Sequence, residues 1–299
     1  MTREKVLITG AHGYIGSKLG MSANDHGYYV LGTTRSARQQ MSVEGYETVK
    51  AVGSINGSTD WSDVLVGIDY VVHLAGCAHK TGVDSQTLTQ EYTIVNRDAT
   101  LRLAEQAAEI GVKRFVYIST IGVLGDSSGS SAFNNKSIYN PKNAYAYSKM
   151  EAEESLVLLS MKYKMEIVIL RPPLVYGPGA PGNLERLIKL CSFSRVLPFG
   201  DLVAQKSMVS LANLCDLIVH CLHARLESIN IFTVSDDSIW STKDLVSLIA
   251  IFLNVRVFNI PVPVRVLKFL AMLVGKSGDV NKLANNLRID NSNTKEVLN

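Results

Sequence analysis

The stretch Val6-Leu7-Ile8-Thr9-Gly10-Ala11-His12-Gly13-Tyr14-Ile15-Gly16 constrains this chain more than any other. Val6 to Thr9 are apolar or β-branched, which suits a strand buried on both faces. Three glycines follow at three-residue spacing, and a helical pattern begins at Tyr14. In such a strand–turn–helix, Gly10 permits the tight turn and Gly13 lets backbone N–H groups approach a pyrophosphate. Gly16 lets the helix pack closely on the strand. The helix N-terminus then meets the anion with its positive end. The spacing is G-x-x-G-x-x-G rather than G-x-G-x-x-G. Its place after an apolar strand favours dinucleotide binding over a plain turn. The expected contacts here are Gly10, Gly13, Tyr14, Ile15 and Gly16.

Apolar strands and helical patterns alternate beyond this point. Helices are expected over Tyr14–Asp25 (stopped by Gly27, weakened by Gly20), Leu88–Ile110 (stopped by Gly111) and Ala144–Tyr163. Strands are expected over Tyr29–Thr33, Thr48–Val52, Tyr70–Leu74, Arg114–Ser119 and Glu166–Leu170. A short helix through Val66 takes its cap from Thr59 or Asp60. The alternation predicts an α/β fold: a doubly wound parallel sheet with right-handed crossovers. Residues 1–171 read as the cofactor domain. Residues 172–299 read as a smaller α/β substrate region, partly interleaved with the first. There Leu184–Leu190, Leu211–His223 and Lys243–Phe252 (capped by Ser241) are helical, and Gln205–Val209 and Ile231–Val234 are strands. The Ser/Gly/Asn-rich segment from Gly122 to Asn140 reads as a mobile active-site flap. His73, inside a strand, reads as a satisfied core histidine.

The second strand ends in Thr33-Thr34-Arg35, with Arg38 close behind. An acidic residue there would bond a ribose 2′-hydroxyl and repel a 2′-phosphate. The basic pair instead predicts NADP, with NAD second. Ser54 and Ile55 fall where an adenine lies, and Ala75-Gly76 gives close backbone approach beneath a cofactor.

The totals exclude several classes. A net charge of +3 with no basic run argues against nucleic acid. Cys77, Cys191, Cys215 and Cys221 form no CxxC pair and no zinc spacing, so they read as buried thiols of a reducing cytosol. Met1 leads within a few residues into the first strand, so no signal peptide is expected and the location reads as cytoplasmic. No apolar run reaches the roughly 18 residues of a membrane span, and no membrane partner is expected. Val264–Val274, apolar but for Arg265 and Lys268, reads as a core helix, with a membrane-surface helix as the alternative.

Tyr145-Ala-Tyr-Ser-Lys149 carries the chemistry. Tyr145 and Lys149 are one helical turn apart on one face. A phenol titrates near 10, and a cation one turn away is expected to lower that value and make a general acid/base. Ser119 or Thr120, ending the preceding strand, completes the network.

These pieces together resemble the extended short-chain dehydrogenase/reductase family in its nucleotide-sugar branch. The matching motifs are Thr9-Gly10-x-x-Gly13-x-x-Gly16, His73-Leu74-Ala75-Gly76, Val95-Asn96-x-x-Ala99-Thr100, Phe115-Val-Tyr-Ile-Ser119-Thr120, Tyr145-x-x-x-Lys149 and Arg171-Pro172-Pro173-Leu-Val-Tyr176-Gly-Pro178. The resemblance implies Tyr145 as acid/base, Thr120 in the catalytic Ser/Thr position, and Lys149 holding the nicotinamide ribose. It implies Asn96 as a structural and cofactor-loop residue. It also extends the cofactor site to Leu74, Ser119, Pro172 and Pro173. Dehydratases of the branch carry Asp-Glu after the catalytic Thr, whereas Ile121-Gly122 follow Thr120. That leaves redox chemistry at carbon 4 of a UDP-hexose. The leading expectation is a UDP-4-keto-6-deoxy-N-acetylhexosamine 4-reductase of surface-polysaccharide synthesis, as in enzymes forming UDP-N-acetylquinovosamine. The alternative is a UDP-glucose or UDP-N-acetylglucosamine 4-epimerase holding NAD tightly, and a non-catalytic dinucleotide sensor is a remote third. Leu174 stands where epimerases usually have Asn, and Ser54 where they have Asp. Asn183 and Lys206 are the candidate diphosphate ligands, Lys206 as a point charge. The resemblance also implies a homodimer, formed by a four-helix contact of Leu88–Ile110 and Ala144–Tyr163.

Overall fold

In a computed structural model, residues 3–36, 42–78, 85–273 and 277–298 are described. Arg38 and His79 lie outside them. The strand β1 (Lys5–Thr9) runs into α1 (Tyr14–Asp25), then β2 (Tyr29–Thr34) and β3 (Thr48–Ala51). After α2 (Ser62–Leu65) come β4 (Tyr70–His73), α3 (Ser85–Tyr92), α4 (Ala99–Ile110), β5 (Arg114–Ile118), α5 (Ala144–Lys162) and β6 (Glu166–Arg171). The second half holds β7 (Leu174–Tyr176), α6 (Asn183–Phe193), β8 (Val196–Leu197), β9 (Gln205–Ser210), α7 (Leu211–His223) and β10 (Ile229–Thr233). It continues through β11 (Ile239–Ser241), α8 (Thr242–Phe252), β12 (Phe258–Asn259), α9 (Val264–Leu273), α10 (Ser277–Ala284) and α11 (Ser292–Leu298).

Seven strands form one parallel sheet in the order β10-β6-β5-β4-β1-β2-β3. Successive residues of β1 feed opposite faces. Val6 and Ile8 join the core beneath α1 and α7, where Leu19, Leu214 and Ile218 pack. Leu7 joins the core beneath α4 and α5, with Leu103, Ala107, Leu156 and Phe115. This two-sided burial is why the strand reads as an unbroken apolar run. The seventh strand, β10, comes from beyond residue 172 and pairs with β6 from Ile229↔Ile167 to Thr233↔Arg171. The expected division at 171/172 therefore describes the chain order, and the sheet itself draws on both parts.

Several local expectations hold to the residue. α1 and α7 have their expected ends, Gly27 and Gly111 take positive φ after their helices, and Ser241 caps α8 in a reciprocal box with Asp244. Others are corrected. The helix expected over Leu88–Ile110 begins at Ser85 and is interrupted by a π-helical segment, Thr93–Asp98, which holds Asn96. Trp61, with no side-chain cap, stands at the N-cap of α2; Asp60 instead accepts the Ser62 N–H at 2.9 Å. Gly20 is more than a weak point, because a Cβ there would lie 2.0 Å from the ring of Tyr46, whose hydroxyl bonds the Gly16 carbonyl at 2.6 Å.

The segment after Gly122 is fastened rather than flap-like. It opens with a 3-10 turn (Ile121–Leu124), and Phe133 exchanges backbone bonds with Arg288 and Asp290 at 2.8 Å each. Ile121, Val123, Leu124 and Ile289 share a small core. The apolar segment at Val264 is also corrected. α9 buries Leu267 and Ala271 but exposes Val266, Phe269, Leu270, Met272 and Leu273, so it is a surface helix rather than a core one.

Candidate active site

The order of the sheet changes direction at β1 and β4, which lie side by side while their chain continuations run to opposite edges. Above the carboxyl ends of strands flanking such a point, open α/β sheets form their ligand crevice. The candidate residues leave these ends: Gly10 after β1, Thr34 and Arg35 at β2, Ser54 and Ile55 after β3. Leu74–Gly76 follow β4, Ser119 and Thr120 follow β5, and Pro172 and Pro173 follow β6.

The first turn fits a diphosphate. Gly10 takes φ +75°, and the Gly13 N–H donates to the Gly10 carbonyl at 2.8 Å. A Cβ on Gly16 would stand 2.2 Å from that same carbonyl, so no larger residue lets α1 sit so close. Gly13 caps α1 without a side chain, and the first turn holds no carboxylate. The N–H groups there are thus presented to an anion without a built-in competitor. Tyr14 contributes backbone, since its buried hydroxyl turns toward Gly177 and has no hydrogen-bond partner among the described residues.

A polar relay beneath the crevice holds β1, β4 and the π segment together. Thr9 Oγ1 accepts the Leu74 and Ala75 N–H groups at 3.1 and 3.0 Å and faces His73 Nδ1 at 2.8 Å. His73 Nε2 meets Thr100 Oγ1 at 3.0 Å, and Thr100 donates to the Asn96 carbonyl at 2.8 Å. With Thr9 already accepting twice, its hydroxyl donates to Nδ1 and Nε2 carries the imidazole proton. Burial, then Lys149, lowers the His73 pKa to about 3, so it is the neutral core residue expected. Asn96 clasps the loop after β4. Its Oδ1 accepts from the Cys77 N–H at 2.7 Å, and its Nδ2 donates to the Cys77 carbonyl and Ser148 Oγ, both at 3.0 Å. A Cβ on Gly76 would stand 3.1 Å from Asn96 Oδ1 and 3.6 Å from Lys149 Nζ, so this loop passes close over the lysine.

Asn143 caps α5 by accepting the Ala146 N–H, which sets the register of Tyr145 and Lys149. Tyr145 stacks edge-on against Tyr92 with centroids 5.8 Å apart. Lys149, buried, donates from Nζ to the Ile118 carbonyl at 3.0 Å and lies 4.6 Å from the Tyr117 ring centroid. Burial lowers the Lys149 pKa to about 8, against the opposing pull of Glu153. The expected lowering of the phenol is corrected. Burial, then Tyr92 and Cys77, pushes Tyr145 up to about 12. The lysine's ammonium addresses a carbonyl and a neighbouring ring, and desolvation is the largest influence on the phenol. Thr120 caps the 3-10 turn, its Oγ1 accepting the Gly122 N–H at 3.1 Å. Tyr147, two residues beyond Tyr145, is exposed.

Sequence reasoning missed the group that braces this site. Glu153, fully buried, accepts from Ser119 Oγ, from Tyr139 at 2.8 Å, and from Arg171 Nε and Nη2 at 3.0 and 2.6 Å. Ser119 thus gives its hydroxyl to Glu153. The signal was present: Glu153 lies four residues after Lys149, on the same face of α5.

The remaining candidates are less convergent. Arg35 is exposed at the end of β2 and Thr34 is buried. Asn183 begins α6 and is exposed, while Pro172 and Pro173 are buried. Lys206, read as a free point charge, donates to the carbonyls of Lys282 (2.6 Å) and Asn285, and burial lowers its pKa to about 8.

Fold and site define a class: a dinucleotide-binding α/β enzyme with a tyrosine–lysine pair on the helix after its fifth strand. The chain belongs to the NAD dependent epimerase/dehydratase family, whose model matches residues 6–231. It is 38% identical over 298 residues to a UDP-glucose 4-epimerase of Vibrio cholerae, covering 99% of this chain and 90% of that one. It is 25% identical to an N-acetyl-α-D-glucosaminyl-diphospho-ditrans,octacis-undecaprenol 4-epimerase of Escherichia coli O157:H7, covering 93% and 80%. Among solved structures it resembles the UDP-glucuronic acid 4-epimerase of Bacillus cereus in complex with NAD (TM-score 0.77, 23% identity, covering 98% and 92%). It likewise resembles the UDP-glucose 4-epimerase of Thermotoga maritima with UDP-glucose (TM-score 0.73, 19% identity, covering 98% and 92%). The family is described by NAD, and nothing in these likenesses supports the NADP preference read from Arg35.

Proposed function

We propose that the protein is a 4-epimerase of a UDP-hexose that uses NAD. The observation carrying this reading is the 38% identity to a UDP-glucose 4-epimerase across nearly the whole of both chains. It moves the alternative of the sequence reading ahead of the 4-keto reductase. When bound, NAD takes up and returns a hydride at carbon 4 of the sugar. The chain supplies position and proton handling. The N–H groups from Gly13 to Gly16 hold the diphosphate, and Lys149 anchors the ribose. Tyr145 exchanges the proton of the sugar 4-hydroxyl, with Thr120 donating beside it. Tyr145 would do so from a phenol that burial raises to about 12 in the ligand-free protein, with the cationic nicotinamide, when bound, favouring the phenolate. Asn183 and Lys206 are proposed for the sugar diphosphate, and Lys206 must then exchange its carbonyl bonds for phosphate.

One observation favours the reductase: Leu174, exposed, stands at the place of the epimerases' usual Asn. A single experiment separates the two. The protein is incubated with NAD and UDP-glucose, UDP-galactose or UDP-N-acetylglucosamine, and the anomeric protons are followed by NMR. Interconversion of a 4-epimeric pair without net cofactor consumption is expected, with NAD bound at least as tightly as NADP. Failure to interconvert, with NADPH consumed on a UDP-4-keto-6-deoxy-N-acetylhexosamine, would establish the reductase.

A homodimer formed through α4 and α5 is proposed as well. Tyr147, Leu158 and Met161 recur along one exposed stripe of α5, and Ile94 and Ile110 are exposed around α4. No helix among the described residues is long and apolar enough to cross a membrane.

A further inference from the structure

α9 is apolar on the side that faces solvent. At about 3.6 residues per turn, Val266, Phe269, Leu270 and Leu273 recur at the spacing that forms a single stripe. Their exposures are 45%, 57%, 52% and 65%, and Met272 beside them is 61% exposed. Leu267 and Ala271, on the opposite side, hold the helix to the protein. Such a stripe normally points inward, so its outward display marks a contact with something apolar. The lobe that carries α9 displays more of the same: Phe193 and Phe252 are 87% and 86% exposed, and Phe258 64%. Phe258 belongs to β12, which pairs with β8 directly after α6.

The charge of this lobe identifies the partner. Residues 245–273 contain Arg256, Arg265 and Lys268 but no Asp or Glu, in a chain with 27 acidic residues. Residues 186–200 contain Arg186, Lys189 and Arg195 with no acid, Lys189 pairing back to Glu185 and leaving Arg186 and Arg195 as the net cations. Arg265 lies on the border of the apolar stripe and is exposed, while Lys268 is half-buried beside Ala271 on the side that holds the helix to the protein. A second copy of the chain would set the same cations against themselves in a two-fold contact. The stripe is the convex side of one helix and offers no groove to a peptide. An apolar stripe bordered by Arg265, with Arg195 and Arg256 exposed beside β8 and β12, matches the boundary between acyl chains and anionic headgroups.

We propose that α9 lies in the surface of an anionic membrane, with Val266, Phe269, Leu270 and Leu273 immersed and Arg265 at the headgroups. The protein is thereby a peripheral membrane protein with its dinucleotide site in the aqueous phase. This reading is independent of the reaction catalysed.

The test is flotation of the full chain with phosphatidylglycerol/phosphatidylcholine vesicles and with phosphatidylcholine vesicles alone. The native protein is expected to float with the anionic vesicles and to be released by high salt. Phe269→Ser with Leu273→Ser should lower the partition coefficient about tenfold or more, and Arg265→Gln about fivefold on anionic vesicles only. Both variants should keep native circular dichroism and NAD binding. Equal recovery of the native protein with both vesicle types, or with neither, would overturn the proposal. So would a native oligomer that Phe269→Ser with Leu273→Ser dissociates, because a second copy would then cover the stripe.

Discussion

Tyr145 and Tyr147 differ by two positions on one helix, and the structure gives them opposite environments. Tyr145 packs on Tyr92, while Tyr147 is 52% exposed. Tyr145→Phe should leave folding and NAD binding intact and lower turnover about 10²–10⁴-fold, the share of general acid–base catalysis. Tyr147→Phe should keep the rate within a few-fold, about the native value. Steady-state kinetics on the substrate found by NMR checks both, and equal damage from the two would mean that the site is misassigned. Lys149 gives a prediction of another kind. Its folded pKa, about 8, lies below the ordinary 10.5 of an unfolded lysine. Between those values the unfolded chain binds the extra proton, so Lys149 makes stability rise with pH across that window. Below about pH 8 both states are protonated and the burial cost is fully present. Cys215 and Cys221, pushed up to about 12 by burial, pull the other way above pH 9, and they do so with or without Lys149. The difference between native and Lys149→Met stability, from urea melts of the ligand-free proteins, should therefore grow by up to about 3 kcal/mol from pH 8 to 10.5. A constant difference would refute the lowered pKa.

At the scale of elements, Glu153 joins α5 to the ends of β5 and β6 through Ser119 and Arg171, and to the following segment through Tyr139. Arg171 and Glu153 are both buried, with side-chain exposures of 3% and 0%. Removing one member of such a pair leaves the other charged and desolvated. Glu153→Ala should cost about 3–5 kcal/mol in a denaturant melt, well beyond the loss of one hydrogen bond. A cost below about 1 kcal/mol would mean that the network does not brace the site. The π segment acts at the same scale. Six residues at π pitch place Asn96 where both its amide ends reach Cys77, which shapes the loop over Lys149.

At the scale of the molecule, two exposed apolar stripes lie on different elements. That of α5, with Leu158 and Met161 at 67% and 77% exposure, fits the proposed four-helix dimer. Leu158→Glu with Met161→Glu should convert a dimer into a folded monomer at micromolar concentration, as read by sedimentation. A native monomer would remove the dimer proposal and leave the membrane proposal for α9 standing, since the two stripes are separate.

Features written in local patterns were legible along the chain. The apolar run before Gly10 specified a strand buried twice over, and Gly10, Gly13 and Gly16 specified the turn that follows it. The i, i+4 spacing of Tyr145 and Lys149 specified a shared helix face, and Ser241 specified a helix start. Each depends on residues within a few positions of one another, where backbone geometry acts directly. The tertiary structure decided whatever depended on what lies opposite. Apolar periodicity located the α9 helix but not the side that would be covered, because exposure depends on neighbours distant in sequence. A basic Lys206 was visible, but not the carbonyls 76 and 79 residues away that engage it. The sign of the Tyr145 shift was likewise hidden. Lys149, one turn away, would lower it, while burial beneath the assembled sheet ends raises it, and desolvation is set by the whole fold rather than by spacing.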